Sequence, residues 1–352
     1  MDLPLLQRII ETPGVSGFET EIRDIIKSEC EPFTDRISTD AMGNLMVSMG
    51  SGKVRAMIAA HMDEIGLIST YVDDQGFIRF HTLGGFDLKT LFTQRVRVLG
   101  KETLPGVIGA KPTHVLKPEE KKKAPEIDDL FIDVGLPAEK VKALVPTGTP
   151  IVRDRDCIKM GDFVTGKSLD NRLSVYTLIE VLKRVQLPDE VSLHAVFTVQ
   201  EEVGLRGVRV AAEKIKPHIG LAMDITVAND IPGVPAQKKI TEAGKGPAIK
   251  IMDGSVISSP GLVSFMEEIA KKESIPVQRE LLTSGGTDTP AMQYLTGIGA
   301  YTGCISIPTR YIHSTVEAAS ITDIEQTVTL TTSVLSALDA FPLYQNDTPI
   351  ND

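Results

Sequence analysis

"VRAMIAAHMDEIG", residues 54–66, sets a hydrophobic run against a histidine and two carboxylates. The run is broken only by Arg55 and stops at His61. Asp63 and Glu64 follow within three residues. A short apolar run without helical spacing reads as a buried strand. In open α/β sheets, ligands bind beyond the carboxyl ends of the strands. A buried strand that ends in ionisable groups therefore points to a site at its C-terminal end.

The flanking sequence supports this placement. Upstream, Leu5, Leu6, Ile9 and Ile10 share one helical face, and "TPGVSG" breaks it. Phe18, Ile22, Ile25 and Ile26 space out a second helix that ends at Pro32. "DRIST" and "NLMVSM" are strand-like, and "GSG" (50–52) reads as a hairpin turn into the "VRAMIAA" strand. Downstream, the texture becomes short alternating strands: "LISTYV", "FIRFHT", "QRVRVLG" and "GVIGAK". Only "PAEKVKALV" is helical there, so residues 67–160 read as a small all-β barrel or sandwich. The charged stretch "KPEEKKKAPEIDD" (117–129) reads as a solvated loop within it.

From Gly161 strands and helices alternate again. "LDNRLSVYTLIEVLKRV" carries Leu173, Thr177, Val181 and Val185 along one helical stripe. "VSLHAVFTVQ", "IGLAMDIT", "VQRELL" and "GIGAYTGCISI" are strands, and "LRGVRVAAEKI" and "PGLVSFMEEIAKKES" are helices. "TDIE" (322–325) has the form of a capping box opening a last helix. This pattern predicts an α/β fold with a mixed central sheet and helices on both faces. One discontinuous domain, 1–66 and 161–352, would be interrupted by an inserted small all-β domain, 67–160.

Composition narrows the function classes. The 352 residues are 42% hydrophobic and 24% charged, ordinary for a packed globular chain of about two domains. Aromatics make up 5% and tryptophan is absent, so aliphatic side chains and methionine must fill the core. A net charge of −10 argues against a nucleic-acid partner, which usually meets a basic footprint. Cys30, Cys157 and Cys304 are odd in number and far apart, as expected of free thiols in a reducing compartment. The start "MDLPLLQRIIETPG" lacks the basic and apolar regions of a signal peptide. No apolar run approaches the ~20 residues of a membrane span. The expectation is a cytoplasmic protein without a membrane partner.

Several metal-competent residues stand where strands end. His61 ends "VRAMIAA", Glu201 and Glu202 end "VSLHAVFTVQ", and Asp224 ends "IGLAMD". Asp170 opens the long helix, and His313 follows the strand "AYTGCISI" through a loop. Two imidazoles among these carboxylates suit Zn²⁺, Co²⁺ or Mn²⁺ better than Ca²⁺ or Cu(I). Crowded carboxylates repel one another, and two dications relieve that repulsion better than one. Asp63 would then accept the other ring N–H of His61. Taken singly, each residue has a plainer explanation. A glutamate pair is usually solvated surface, and Asp170 is by default a helix N-cap. His81, His114, His194 and His218 lack such company and read as structural. The joint placement at strand ends carries the metal reading.

At these residues the sequence resembles the tetrahedral (TET) metallo-aminopeptidases, peptidase family forty-two of the metallo class, which includes glutamyl, leucyl and deblocking aminopeptidases. The matching stretches are "PGVSGFE" (13–19), "DAMGNL" (40–45), "AAHMDEIG" (59–66), "GKSLDNR" (166–172), "QEEVGLRG" (200–207), "AMDIT" (222–226), "TSGGTDT" (283–289) and "RYIHS" (310–314). The resemblance covers almost the whole chain. It implies a zinc-peptidase-like fold and two divalent metal ions per subunit, zinc or cobalt. His61, Asp170 and Asp224 would hold one ion, and Asp170, Glu202 and His313 the other, with Asp170 bridging. Glu201 would be the general base and acid, with Asp63 orienting His61. The resemblance also implies peptide substrates, dimers formed through the inserted domain, and a twelve-subunit tetrahedral assembly.

Such a site would hydrolyse N-terminal residues from peptides with a metal-activated water. Gly285 and Gly286, in "SGGTD" (284–288), would let backbone approach the substrate. The alternative there is an ordinary turn with Asp288 as a helix cap. Rival readings are a carboxypeptidase, deacylase or glycanase on the same site, or a non-enzymatic scaffold. The inserted domain is small for the apolar positions of "LISTYV", "FIRFHT", Phe86, Leu91 and Phe92. Their exposure is expected to mark a contact surface.

Overall fold

The computed structural model describes residues 1–117, 119 and 125–343. The basic triplet of the charged loop, 121–123, lies outside these. Helices α1 (Leu3–Glu11) and α2 (Thr20–Cys30) precede strands β1 (Ile37–Thr39), β2 (Leu45–Gly50) and β3 (Val54–His61). Then come β4 (Gly66–Val72), β5 (Ile78–Leu83), β6 (Arg95–Leu99), β7 (Thr103–Ala110), β8 (Leu130–Asp133), α3 (Ala138–Leu144) and β9 (Pro150–Arg153). β10 (Ile158–Met160) and β11 (Phe163–Gly166) lead to α4 (Leu169–Leu182), β12 (Val191–Thr198), α5 (Arg206–Ile215), β13 (Ile219–Val227) and β14 (Ala248–Met252). The remaining elements are α6 (Pro260–Lys272), β15 (Gln278–Leu281), α7 (Thr289–Tyr294), β16 (Tyr301–Arg310), β17 (Glu317–Ser320) and α8 (Ile321–Ser336).

Among the described residues an 11-stranded mixed sheet runs β1-β2-β12-β3-β13-β16-β17-β11-β10, with β14 and β15 attached beside β16. Its centre, β12-β3-β13-β16, is parallel. Period-two alternation divides β3 between the two faces. Ala56, Ile58 and Ala60 join the core under α1, α2, α4, α6 and α8. Met57 and Ala59 join the core under α5 and α7. Helices thus cover both faces, as the sequence pattern predicts. α4 is buried all round because it lies among α1, α8 and the sheet. α1 starts with Pro4 in its first turn, and the Asp2 carboxylate accepts from Leu5 N at 3.0 Å.

Alternation also aims the site. The parallel register pairs Ala222 of β13 with Ala59 of β3. Two residues further along each strand, Asp224 and His61 emerge on the same face. Both stand at the carboxyl end of the sheet, where β12 ends level with His61 at Thr198.

Between β3 and β10 the chain closes a six-stranded barrel, β4-β5-β8-β7-β6-β9. The expectation of exposed apolar clusters here is corrected. Leu67, Ile78, Phe80 and Leu91 are buried in a core belonging to the barrel itself, and Phe86 and Phe92 pack against it. Closing the sheet gives every inward side chain a partner within the barrel. Tyr71, Val107 and Val115 remain exposed.

Two local readings also fail. "GSG" joins β2 to β3, but they do not pair; β12 lies between them. The capping box does not form: α8 is capped at Ser320 without a side-chain bond. Asp323 instead accepts from Gly244 N and Gly246 N, at 2.6 and 2.8 Å, and holds a distant loop. Among the described residues no helix is long and apolar enough to cross a membrane.

Candidate metal centre

His61, Asp170 and Asp224 offer ligand atoms that all lie within 4.8 Å of one another, and so do Asp170, Glu202 and His313. The two groups share Asp170. Its Oδ1 stands 3.2 Å from His61 Nε2 and its Oδ2 3.1 Å from His313 Nε2. Asp224 Oδ1 is 3.8 Å from His61 Nε2, and Glu202 Oε2 is 3.3 Å from His313 Nε2. Glu201 Oε2 is 3.9 Å from His61 Nε2 and belongs to neither group. These residues line a cavity of about 630 Å³. Gly285, Gly286, Leu205, Ser255 and Leu282 line it as well.

The backbone is constrained to bring these groups together. Ser168, Gln200 and His313 adopt left-handed φ values of 50°, 54° and 58°. Non-glycine residues seldom do so, and such residues gather at functional sites. Ser168 lies two residues before Asp170, and Gln200 immediately precedes Glu201. Asn171 Nδ2 donates to Met223 O at 2.9 Å, which ties the start of α4 to β13 just before Asp224.

Asp63 is fully buried, and its carboxyl does more than face His61. Oδ1 lies 3.4 Å from His61 Nδ1, and that ring nitrogen makes its hydrogen bond to the Asp63 backbone carbonyl at 3.2 Å. The carboxylate accepts from Glu201 N at 3.0 Å, Glu202 N at 3.2 Å and Ser16 Oγ at 2.6 Å. Asp63 therefore sets the backbone of both glutamates through its carboxylate and the imidazole through its backbone carbonyl.

Three participants escaped the sequence reading. The Glu317 carboxylate accepts from Asp170 N at 2.9 Å and from His313 N at 3.2 Å, gripping members of the second group. Its nearness to His313 in the sequence was the one available signal. Asp288 stands at the N-cap position of α7, but its buried side chain does not cap the helix; it accepts from Thr198 Oγ1 at 2.5 Å. Buried Lys250 also lines the cavity and pairs with Glu280.

The electrostatics demand positive charge. Burial raises the Glu201, Glu202 and Asp224 carboxyls above the ordinary range, and neighbouring carboxylates add to the effect. Burial also raises Asp170, but the His313 and His61 imidazoles beside it outweigh this and hold that carboxyl well below its usual value. Burial lowers both imidazoles, yet the surrounding carboxylates win and raise them, His313 to about 11. Asp170 Oδ1 and Glu202 Oε1 are buried with no hydrogen-bond donor. Two nitrogen donors, clustered carboxylates and orphaned oxygens fit divalent ions.

A model of the M42 glutamyl aminopeptidase family matches residues 43–330. The chain belongs to this family. It is 36% identical over 350 residues to the lysyl aminopeptidase of Pyrococcus furiosus, covering 96% of this chain and 98% of that one. A TET aminopeptidase structure from a marine-sediment Thaumarchaeota archaeon superposes with a TM-score of 0.92 at 34% identity, covering 97% of each chain. The TET1 peptidase of Pyrococcus horikoshii, with a TM-score of 0.83 at 35% identity over 95% of this chain and 98% of its own, can assemble into a tetrahedron or a large octahedral shell. The M42 protein is thus a peptide hydrolase, a metal-dependent aminopeptidase.

Proposed function

We propose that His61, Asp170 and Asp224 hold one divalent ion and that Asp170, Glu202 and His313 hold a second, zinc or cobalt in each case. When bound, such ions acidify a water toward pKa ~7 and polarise the scissile carbonyl. Glu201 takes the proton from the attacking water and passes it to the leaving amine nitrogen. The observation that carries this reading is the position of Glu201, beside both groups and a member of neither. Asp63 fixes that position through Glu201 N. Asp170, with one oxygen toward each group, is the bridge. The Gly285–Gly286 backbone forms the facing wall of the substrate cleft. The barrel, 66–153, is the inserted domain and the rest of the chain the catalytic one, since β10 pairs with β11 in the main sheet and moves the boundary back from 160.

Chelation tests the metal reading. EDTA should abolish amino-acid release from aminoacyl-p-nitroanilides, and added Zn²⁺ or Co²⁺ should restore it. Activity indifferent to EDTA would overturn it and favour a metal-free hydrolase. A panel of such substrates also gives the preferred N-terminal residue.

Assembly is the second part of the proposal. The chain forms dimers through the inserted barrel, closing into a dodecamer that confines cleavage to peptides and unfolded ends. Support comes from the shell-forming relative, not from apolar exposure, since the barrel buries its own core. Solution mass should exceed that of a monomer severalfold; a metal-loaded monomer at micromolar concentration would overturn the assembly.

A further inference from the structure

The inserted barrel reaches into the metal centre, and its contacts gather at one of the two ligand groups. Arg153, at the end of β9, is buried. Its Nη1 donates at 2.6 Å to the carbonyl oxygen of Ser314, the residue after His313. Its Nη2 donates to Ile65 O at 3.4 Å, and its guanidinium lies over the Phe86 ring of the barrel at 5.7 Å. A second arm reaches in through the Gly84–Gly85 turn. A Cβ on Gly85 would stand 3.3 Å from His313 Nδ1, and one on Gly84 3.4 Å from Glu202 Cβ. Glu317 then ties His313 N to Asp170 N. His313 needs such support: its φ is 58°, and it is the most exposed of the proposed ligands, with a side chain 41% accessible.

We propose that Arg153 is a positioning residue for the second ion: it clamps the Ser314 carbonyl so that His313, half exposed and in a left-handed conformation, faces Asp170 and Glu202. This rests on the two-ion reading above. Groups that orient ligands without touching the metal typically contribute about 10–100-fold to metal affinity. Arginine suits the task because its planar fork can hold carbonyls on two different loops at once. Arg153 Nη2 also lies 3.5 Å from the buried Glu64 carboxylate; a lysine in its place keeps that charge but can span only part of the fork.

The test is a Co²⁺ titration of the full-length wild type, Arg153→Ala, Arg153→Lys and His313→Ala, read by ions bound per subunit and by Co²⁺ visible absorption. The difference between wild type and His313→Ala gives the signature of the second ion. Arg153→Ala should keep the first ion at wild-type affinity and weaken the second about 10–100-fold. Arg153→Lys should recover part of the loss. Wild-type affinity for both ions in Arg153→Ala would overturn the proposal. So would equal weakening of both ions, which marks general loosening of the fold. Should Arg153→Ala fail to fold, Arg153→Lys decides alone: a selective loss of the second ion supports the proposal, and unchanged affinity overturns it. A wild type that saturates at one ion overturns the two-ion reading itself, and this inference with it.

Discussion

Glu201→Gln is expected to lower turnover on an aminoacyl-p-nitroanilide by at least ~10²-fold, with metal content unchanged. Glutamine matches glutamate in shape and can still accept a hydrogen bond, but it cannot take a proton from water. Removing a general base typically costs about 10²–10⁴-fold, and 10² corresponds to about 2.7 kcal/mol of transition-state stabilisation. The geometry supports a selective effect on the proton transfer. Glu201 Oε2 lies 3.9 Å from His61 Nε2, outside both ligand groups, and its backbone N–H is already held by Asp63. Losing the charge should therefore leave the ligands in place. Turnover should fall in proportion at every substrate concentration, while metal analysis still finds the wild-type ion count. Near wild-type turnover would remove Glu201 from its role. A fall in turnover matched by lost metal would make it a ligand instead.

Much of the centre was legible because its residues sit at the ends of recognisable strands. "VRAMIAA" and "IGLAMD" are buried runs, and a buried run that stops at His61 or Asp224 says where the side chain emerges. What failed was everything that depends on which distant segment arrives next. "GSG" has good turn chemistry, but β12, from much later in the chain, inserts between β2 and β3. Local sequence cannot show that neighbour. The strands of the inserted region were legible as strands, but alternation does not reveal which face a closing barrel hides. Leu91 and Phe80 therefore turned out to be private core. Glu317 was missed because its carboxylate acts on backbone N–H groups, and no residue letter records where those point.

The second carboxylate of "HMDEIG" has its own answer in the structure, and Glu64→Gln is expected to destabilise the protein by roughly 3–5 kcal/mol, the cost of removing one partner from a buried charge network. Glu64 is fully buried beneath the site. Lys167 Nζ stands 2.6 Å from its carboxylate, Arg153 Nη2 3.5 Å and Arg172 Nη2 3.8 Å. Burial pushes the Glu64 carboxyl up, but these three cations outweigh it and hold it below its ordinary value. Glutamine keeps the volume and could still accept from Lys167. It leaves three buried cations without the carboxylate they share, with Asp63, Glu19 and Glu317 acting on the two arginines only from further off. Lys167 can shed its proton, since burial already pulls it down to about 7. The arginines cannot. Arg172 stays fixed by Ile9 O at 2.6 Å and Thr12 O at 3.1 Å, so it cannot swing out to water. The sign of the pH dependence follows. The variant lowers the Lys167 pKa further, so its folded state loses that proton at lower pH than wild type does. Its deficit should be largest in mild acid, above the ordinary glutamate range, and narrow both as pH rises toward about 7 and as pH falls far enough to protonate Glu64 in the wild type. The measurement is the urea denaturation midpoint of both proteins, metal-loaded and at equal subunit concentration, across that range. Equal midpoints would mean that water reaches the cations beneath the site and that they need no carboxylate.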